Sequence, residues 1–408
     1  MSNTPWKSTE WFVSPWNYNG EVVSGLQFAE EIKIHDITLR DGEQQAGIAM
    51  NRREKVTIAK ALADAGVHRI EAGMPVVSVE DEAAIKEIVD LNLESEIFSF
   101  ARCMVPDVEK AKECGVKGIV VEIPCSEHII KHAYNWPLEK ALKLSIEATL
   151  CAKENGLYTV FFPIDSSRAE MNWFLDTIEH VATEGHMDAL AVVDTFGGIS
   201  PHAVPYLVAQ IKKRIQKPLE AHFHDDFGMG IANTIMALAC GCSVAHTTIL
   251  GVGERAGNAA MESVVLSLLT MYGRDIGIKT DKIYKLSQIV REITQAAVPT
   301  NRSAVGDRIF HIESGIVTSW FEQCGSEHRL ELMPFLPSLV GQPDPQVVMG
   351  KCSGIDSIKR WLNEEGLVIA DELKQQELLR KVKETAISNK RLLTREEFTS
   401  LVKEVQQS

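Results

Sequence analysis

Between residues 33 and 250, short runs of apolar and β-branched residues recur along the chain. Each is followed by a polar turn and then by a stretch in which apolar positions repeat every three or four residues. The apolar runs are KIHDITL (33–39), HRIEAG (68–73), IFSFAR (97–102), GIVVEI (118–123), YTVFFP (158–163), ALAVVDT (189–195), LEAHFH (219–224) and VAHTTIL (244–250). Helical spacing is clearest in REKVTIAKALADAG (53–66) and PHAVPYLVAQIKKRI (201–215). Strand alternating with helix eight times predicts an α/β protein built as a (β/α)8 TIM barrel over residues 31–275. A doubly wound open sheet is the alternative. The count of eight, and the lack of a Gly-rich phosphate-binding turn after the first run, favour the barrel.

After residue 274 the rhythm changes. DKIYKLSQIVREITQAAV (281–298) reads as one helix, and the Pro- and Gly-marked stretch after it as irregular chain. From 356 onward the pattern is one of short charged helices, and Thr394 with Glu397 has capping-box spacing. These features predict a linker and first accessory subdomain over 276–350 and a second, helical one over 351–408. Residues 1–30 form an extension carrying Trp6, Trp11 and Trp16, expected to pack on the barrel or on a second subunit.

Composition narrows the function classes. At 408 residues and 45% hydrophobic, the chain can bury a large core. A formal net charge of −14, with no dense Lys/Arg cluster, speaks against nucleic acid as a partner. No apolar run approaches the ~18 residues of a membrane span. The N-terminus lacks a signal-peptide layout, so a cytoplasmic protein is expected. The eight cysteines are scattered and form no disulfide framework, and Cys240 and Cys242 read as small buried hydrophobes near a helix end.

In a barrel enzyme, chemistry gathers where strands end and their following loops begin. The first run ends in Arg40, Asp41, Glu43 and Gln44, and the second carries Glu71. The third ends at Arg102, the sixth at Asp194 and Thr195, and the seventh in His222 and His224. After the eighth comes GVGERAGNAA, with Glu254, Arg255 and Asn258. Strand residues two apart share a face, so His222 and His224 both look into the mouth. With Asp41 they make a mixed N/O donor set suited to a divalent ion such as Zn, Mn, Co or Fe. Asn258 is placed to add an amide oxygen. His-x-His alone is more often two polar residues at a strand end, and a Gly-rich loop alone is more often a flexible connection. The Arg-Asp-Gly-Glu at another strand end tips the balance, because charges buried there need partners. Glu122 is assigned no role.

Three segments, LRDGEQ (39–44), AHFHDDFGMGIAN (221–233) and GVGERAGNAAMESVV (251–265), resemble the DRE-TIM metallolyase superfamily, whose catalytic domain is HMG-CoA-lyase-like. The likeness is to its isopropylmalate, homocitrate and citramalate synthase branch. VPTNRSAVGDRIFHIESGI (298–316) and VVMGKCSGIDSIKRWL (347–362) are similar to that branch's helical subdomains, whereas GERAGN is unlike the Cys-containing loop of its lyases. The resemblance implies a homodimeric acyltransferase that condenses acetyl-CoA, or another acyl-CoA, with a 2-oxo acid. It implies that Asp41, His222, His224 and Asn258 bind a divalent metal ion (Mn, Zn, Mg or Co). It further implies that Arg40 stabilises a developing oxyanion and that Glu71 orients Arg40 or a ligand. Gln44, Arg102, Arg168 and Thr195 would hold the 2-oxo acid. A metal-dependent C–C lyase, aldolase or decarboxylase working without acetyl-CoA is the second reading, and a non-enzymatic relative the third. Two positions depart from the family pattern. Ile164 stands where the family carries a glutamate, and Val317 where it carries a histidine thought to assist acetyl-CoA activation.

Overall fold

A computed structural model describes residues 4–407. The chain divides into two compact units. One comprises Trp16–Val298 with Ser303–Val305; the other comprises the residues before Trp16 together with Pro299–Arg302 and the chain from Gly306 onward.

The first unit is a closed eight-stranded parallel barrel, ordered as in the sequence. Its strands are β1 (Lys33–Asp36), β2 (Arg69–Glu71), β3 (Glu96–Arg102), β4 (Gly118–Pro124), β5 (Tyr158–Ile164), β6 (Ala189–Asp194), β7 (Leu219–Phe223) and β8 (Val244–Thr247). Closure comes from β1 against β8, with His35 opposite His246. All eight expected strands form, but β1 and β8 stop three residues early. After β1 the Asp36 carboxylate accepts the Thr38 backbone N–H at 3.0 Å, a local bond that competes with the ladder. Beyond β8 the chain enters a turn with Leu250 at φ 64°.

Helices follow the predicted stretches. Arg52–Asp64 starts at a reciprocal Asn51/Glu54 capping box and buries Val56, Ile58, Ala59 and Leu62. Val204–Arg214 starts three residues later than the pattern suggested, with Pro205 in its first turn, where a missing N–H costs nothing. Ile283–Thr294 is shorter than the expected 281–298 because Gln295 turns left-handed at φ 55°.

The barrel interior has two unlike halves. Strands β3 to β6 supply an apolar half of Phe98, Phe100, Val120, Val160, Phe162, Ala189, Ala191 and Val193. Strands β1, β2, β7 and β8 supply buried His35, Arg69, Glu71, Glu220, His222 and His246. The His35 ring meets Phe98 edge-on at 5.0 Å, which places the two halves against each other. Charged groups survive there because they are paired. Arg69 Nη1 donates to Glu220 Oε1 at 2.8 Å, and His246 Nε2 lies 2.8 Å from Glu220 Oε2.

The second unit packs helices Gly315–Cys324, Ile355–Glu364, Glu372–Asn389 and Arg395–Gln407 beside a two-stranded parallel pair, His311–Ile312 with Gln346–Val347. Its core includes Met349, Trp361, Leu378, Val382, Phe398 and Val402. Thr394 and Glu397 form the expected reciprocal cap, with bonds of 2.9 and 3.3 Å. Trp11 bridges to Phe335 within this unit, and Trp16, in the barrel unit, is 75% exposed. All eight cysteines are free. Among the described residues no helix is long and apolar enough to cross a membrane.

Candidate active site and metal centre

The C-terminal end of the barrel brings Asp41, His222 and His224 together, all buried, with one ligand atom from each lying within 4.8 Å of the others. His222 Nε2 and His224 Nε2 are 3.2 Å apart, and Asp41 Oδ2 is 3.9 Å from each. The strand explains the pairing: β7 alternates Glu220 and His222 onto one face, and His224, one residue past its end, carries the alternation on and bridges to Asn258. His224 Nδ1 donates to the Gly257 carbonyl at 3.0 Å, which turns its Nε2 into the cluster. Burial, reinforced by His224 and His246 nearby, pushes the His222 imidazole well below its ordinary pKa and keeps it neutral, the form that binds a metal. Two imidazoles and a carboxylate converging in this way fit a divalent cation.

Asn258 reaches the cluster from the loop after β8. Its Nδ2 donates to Asp41 Oδ1 at 2.7 Å and faces the Val252 carbonyl at 3.3 Å, so in this arrangement it orients the aspartate. Its Oδ1 is buried without a partner. The loop needs its glycines. Gly257 has φ +88°, and a Cβ there would sit 1.8 Å from the Gly251 carbonyl oxygen.

Arg40 lies beside the cluster and is fixed on three sides. Its Nε donates to Glu71 Oε1, its Nη1 to Asp41 Oδ2 at 2.8 Å and to Gln44 Oε1 at 3.2 Å, and its plane rests over the Phe100 ring at 3.9 Å. Its Nη2 is buried and has no hydrogen-bond partner. Burial alone would raise the Glu71 pKa, but Arg40 and then His35 outweigh it and hold the carboxyl at about 2. Glu71 is therefore a fixed anion that clamps Arg40.

The remaining expected residues lie further round the mouth. Arg168 grips Asp165 through two bonds of 2.6 and 2.9 Å and stacks on Phe196 at 4.0 Å. The Asp165 backbone N–H donates to Thr195 Oγ1 at 2.8 Å, which ties Thr195 to the same corner. Arg102 is half-exposed and held by Asp107 at 2.7 and 3.0 Å. Gln44 touches Arg40. Ile164 packs against the apolar half of the barrel, and Val317 against Ile312, Phe321 and Val347 within the second unit.

Inspection of strand ends alone misses the column beneath the mouth. His35, Glu220 and His246 bring three ligand-type atoms within 4.8 Å of one another, and His35 stacks on His246 at 4.6 Å. His35 Nε2 lies 3.4 Å from Glu71 Oε2, so the column abuts the carboxylate that clamps Arg40. The available signal was parity: Glu220 and His222 are two apart on one strand.

Known proteins with these features can be compared directly. The HMGL-like family model matches residues 31–290. The homocitrate synthase AksA of Methanothermobacter thermautotrophicus is 36% identical over 364 residues, covering 89% of this chain and 90% of that protein. The 2-isopropylmalate synthase of Methanocaldococcus jannaschii is 35% identical over 379 residues, covering 92% of this chain and 72% of that protein. Among solved structures, the HMG-CoA lyase of Bacillus subtilis superposes with a TM-score of 0.61 at 21% identity, over 67% of this chain and 97% of that one, a likeness of fold.

Proposed function

The chain belongs to the HMGL-like family, and we propose that it catalyses a Claisen-type condensation of an acyl-CoA, acetyl-CoA in the first instance, with a 2-oxo acid. The products are a 2-hydroxy-2-alkyl dicarboxylate and free CoA, with water consumed in cleaving the thioester. One observation carries the reading: the unpartnered Arg40 Nη2 is presented beside the Asp41, His222 and His224 donor set. Asp41, His222 and His224 would hold a divalent ion (Mn, Zn, Mg or Co), which would supply Lewis-acid polarisation of the ketone.

The chain's own groups do the rest. Arg40, immobilised by Glu71 and Phe100, places a fixed positive charge where the keto oxygen becomes an alkoxide. Asn258 holds Asp41 in place. Gln44, Thr195, Arg168 and Arg102 are the groups proposed to position the 2-oxo acid. The synthase names of the relatives favour condensation over the lyase reading, as does the absence of cysteine from Gly251–Asn258. Homodimerisation belongs to the same proposal, and sedimentation velocity tests it.

The test is thiol release. Purified protein with a divalent ion should liberate free CoA from acetyl-CoA in the presence of at least one member of a 2-oxo acid panel. No release across the panel, with pyruvate or oxaloacetate formed instead from a hydroxy acid, would replace this reading by the lyase.

A further inference from the structure

Condensation requires a base for the acyl-CoA methyl group, and most acids at the mouth are already engaged. Glu71 is clamped to Arg40, and Asp107 is bound by Arg102. Asp165 is bound by Arg168 and Ser126, and Asp194 by Ser167 and the Gly198 and Ile199 amides. Strand β5 ends in Ile164 and offers no acid.

Glu122 is different. It lies near the C-terminal end of β4, where register places it beside Arg102 on one side and Phe162 on the other. Alternation along β4 puts it on the face of Val120, which is inside the barrel. Phe162 is its link to the reaction centre: that ring lies 4.8 Å from the His222 ring and 6.0 Å from the Arg40 guanidinium. Glu122 also borders a cavity of about 280 Å³ that Arg102, Met104, Tyr134, Trp136 and Lys140 help to line. No described side chain or backbone group hydrogen-bonds its carboxyl, because Arg102 beside it turns to Asp107 instead.

We propose that Glu122 is the catalytic base that removes the methyl proton of the acyl-CoA, bound with its thioester in or beside this cavity. The proposal rests on the condensing function argued above. The carboxylate takes one proton, and the C–H pair becomes the C=C bond of the thioester enolate. That carbon bonds to the keto carbon, whose C=O π pair moves to oxygen next to Arg40 Nη2. The resulting alkoxide takes up a proton while Glu122 gives one to solvent. Water then adds to the thioester carbonyl, the C–S bond breaks, and the sulfur leaves as the CoA thiol.

The environment suits a base. Burial pushes the Glu122 carboxyl up to about 7, with Arg40 and Arg102 pulling only part of the way back. A carboxylate with that proton affinity is a stronger base than an exposed one and is still ionised above neutrality. The charged groups that face it are Arg40, Arg102 and Lys140 against Glu71 and Asp107, with the Tyr134 phenol at the cavity wall.

The test compares Glu122→Gln and Glu122→Asp with the wild-type enzyme, loaded with metal, in the thiol-release assay from pH 5.5 to 9. Wild-type kcat should rise through an acid limb near pH 7. The Gln variant should lose about 100-fold or more in kcat. It should also lose that limb, while binding the 2-oxo acid, its metal and heat as the wild type does. The Asp variant should recover part of the rate and keep a limb. A Gln variant within about threefold of wild type, or one that keeps the limb, overturns the assignment while leaving the condensation intact. If the Gln variant does not fold, an Asp variant without an acid limb overturns it. A wild-type protein that releases no thiol overturns the function itself, and the base with it.

Discussion

The Arg40–Glu71 clamp makes a quantitative prediction. Glu71→Gln keeps the shape of the side chain and removes its charge. It leaves the 7% exposed Arg40 guanidinium with Asp41 as its remaining ionic partner. Two routes to the cost agree. Breaking a buried ion pair from one side costs about 3–5 kcal/mol. The drop of the Glu71 carboxyl from 4.5 to about 2 corresponds to about 3 kcal/mol at 1.36 kcal/mol per unit. In a unit of this size, about 3 kcal/mol lowers the melting temperature by about 6–12 °C. The sign of the pH dependence follows from linkage. A folded-state pKa held below the unfolded value stabilises the fold above pH 4.5, and that contribution drains away as pH falls from 4.5 towards 2. The gap between wild type and Glu71→Gln should therefore be constant from pH 8 to 5.5 and narrow below 4.5. Scanning calorimetry of the metal-free proteins across that range measures it. A loss under about 1 kcal/mol at pH 7, or a gap that widens in acid, refutes the account of Glu71 as a fixed anion.

Further predictions test the metal centre and its frame. Asp41→Ala and His224→Ala should lower bound metal per chain by elemental analysis, and unchanged content in both would reject the ligand set. Asn258→Ala, which removes a group that orients Asp41, should weaken metal affinity by about 10–100-fold, less than either ligand loss. Gly257→Ala should remove most bound metal even where the barrel still melts cooperatively, because the new Cβ meets the Gly251 carbonyl and shifts the Gly257 carbonyl that orients His224. Val317→His should bring no gain in acetyl-CoA turnover and should cost the second unit about 1–3 kcal/mol, since it sets a polar ring against Ile312, Phe321 and Val347. Increased turnover would assign that position a catalytic role.

How far this site can be read from sequence depends on the range of the interactions that make it. Strand and helix order was legible because alternation and 3.6-residue periodicity are local, and His222 with His224 was legible because two residues on one strand share a face. Asp41 joins them across the closed barrel, and its candidacy came from its place at the end of the first apolar run. Pairing between distant strands left no such trace. Arg69 and Glu220 are 151 residues apart, and nothing near either announces the other. The same holds for His35, whose neighbours Phe98, His246 and Glu71 come from three other strands. Arg102 shows a local pairing that its place at a strand end did not announce. Its guanidinium is held by Asp107, five residues on, at the mouth where it is proposed to meet substrate. That local capture is what leaves Glu122 without a hydrogen bond from Arg102. A carboxyl pushed towards neutrality beside a reaction centre is costly to keep in a fold. The cost is more readily understood if the group works there, since a sequence free to discard the charge could place glutamine or leucine at the same rung of β4. The departure at Ile164 then reads differently. Strand β5 ends in Ile164 and offers no acid there, while the adjacent strand carries a carboxyl on the rung that pairs with Phe162.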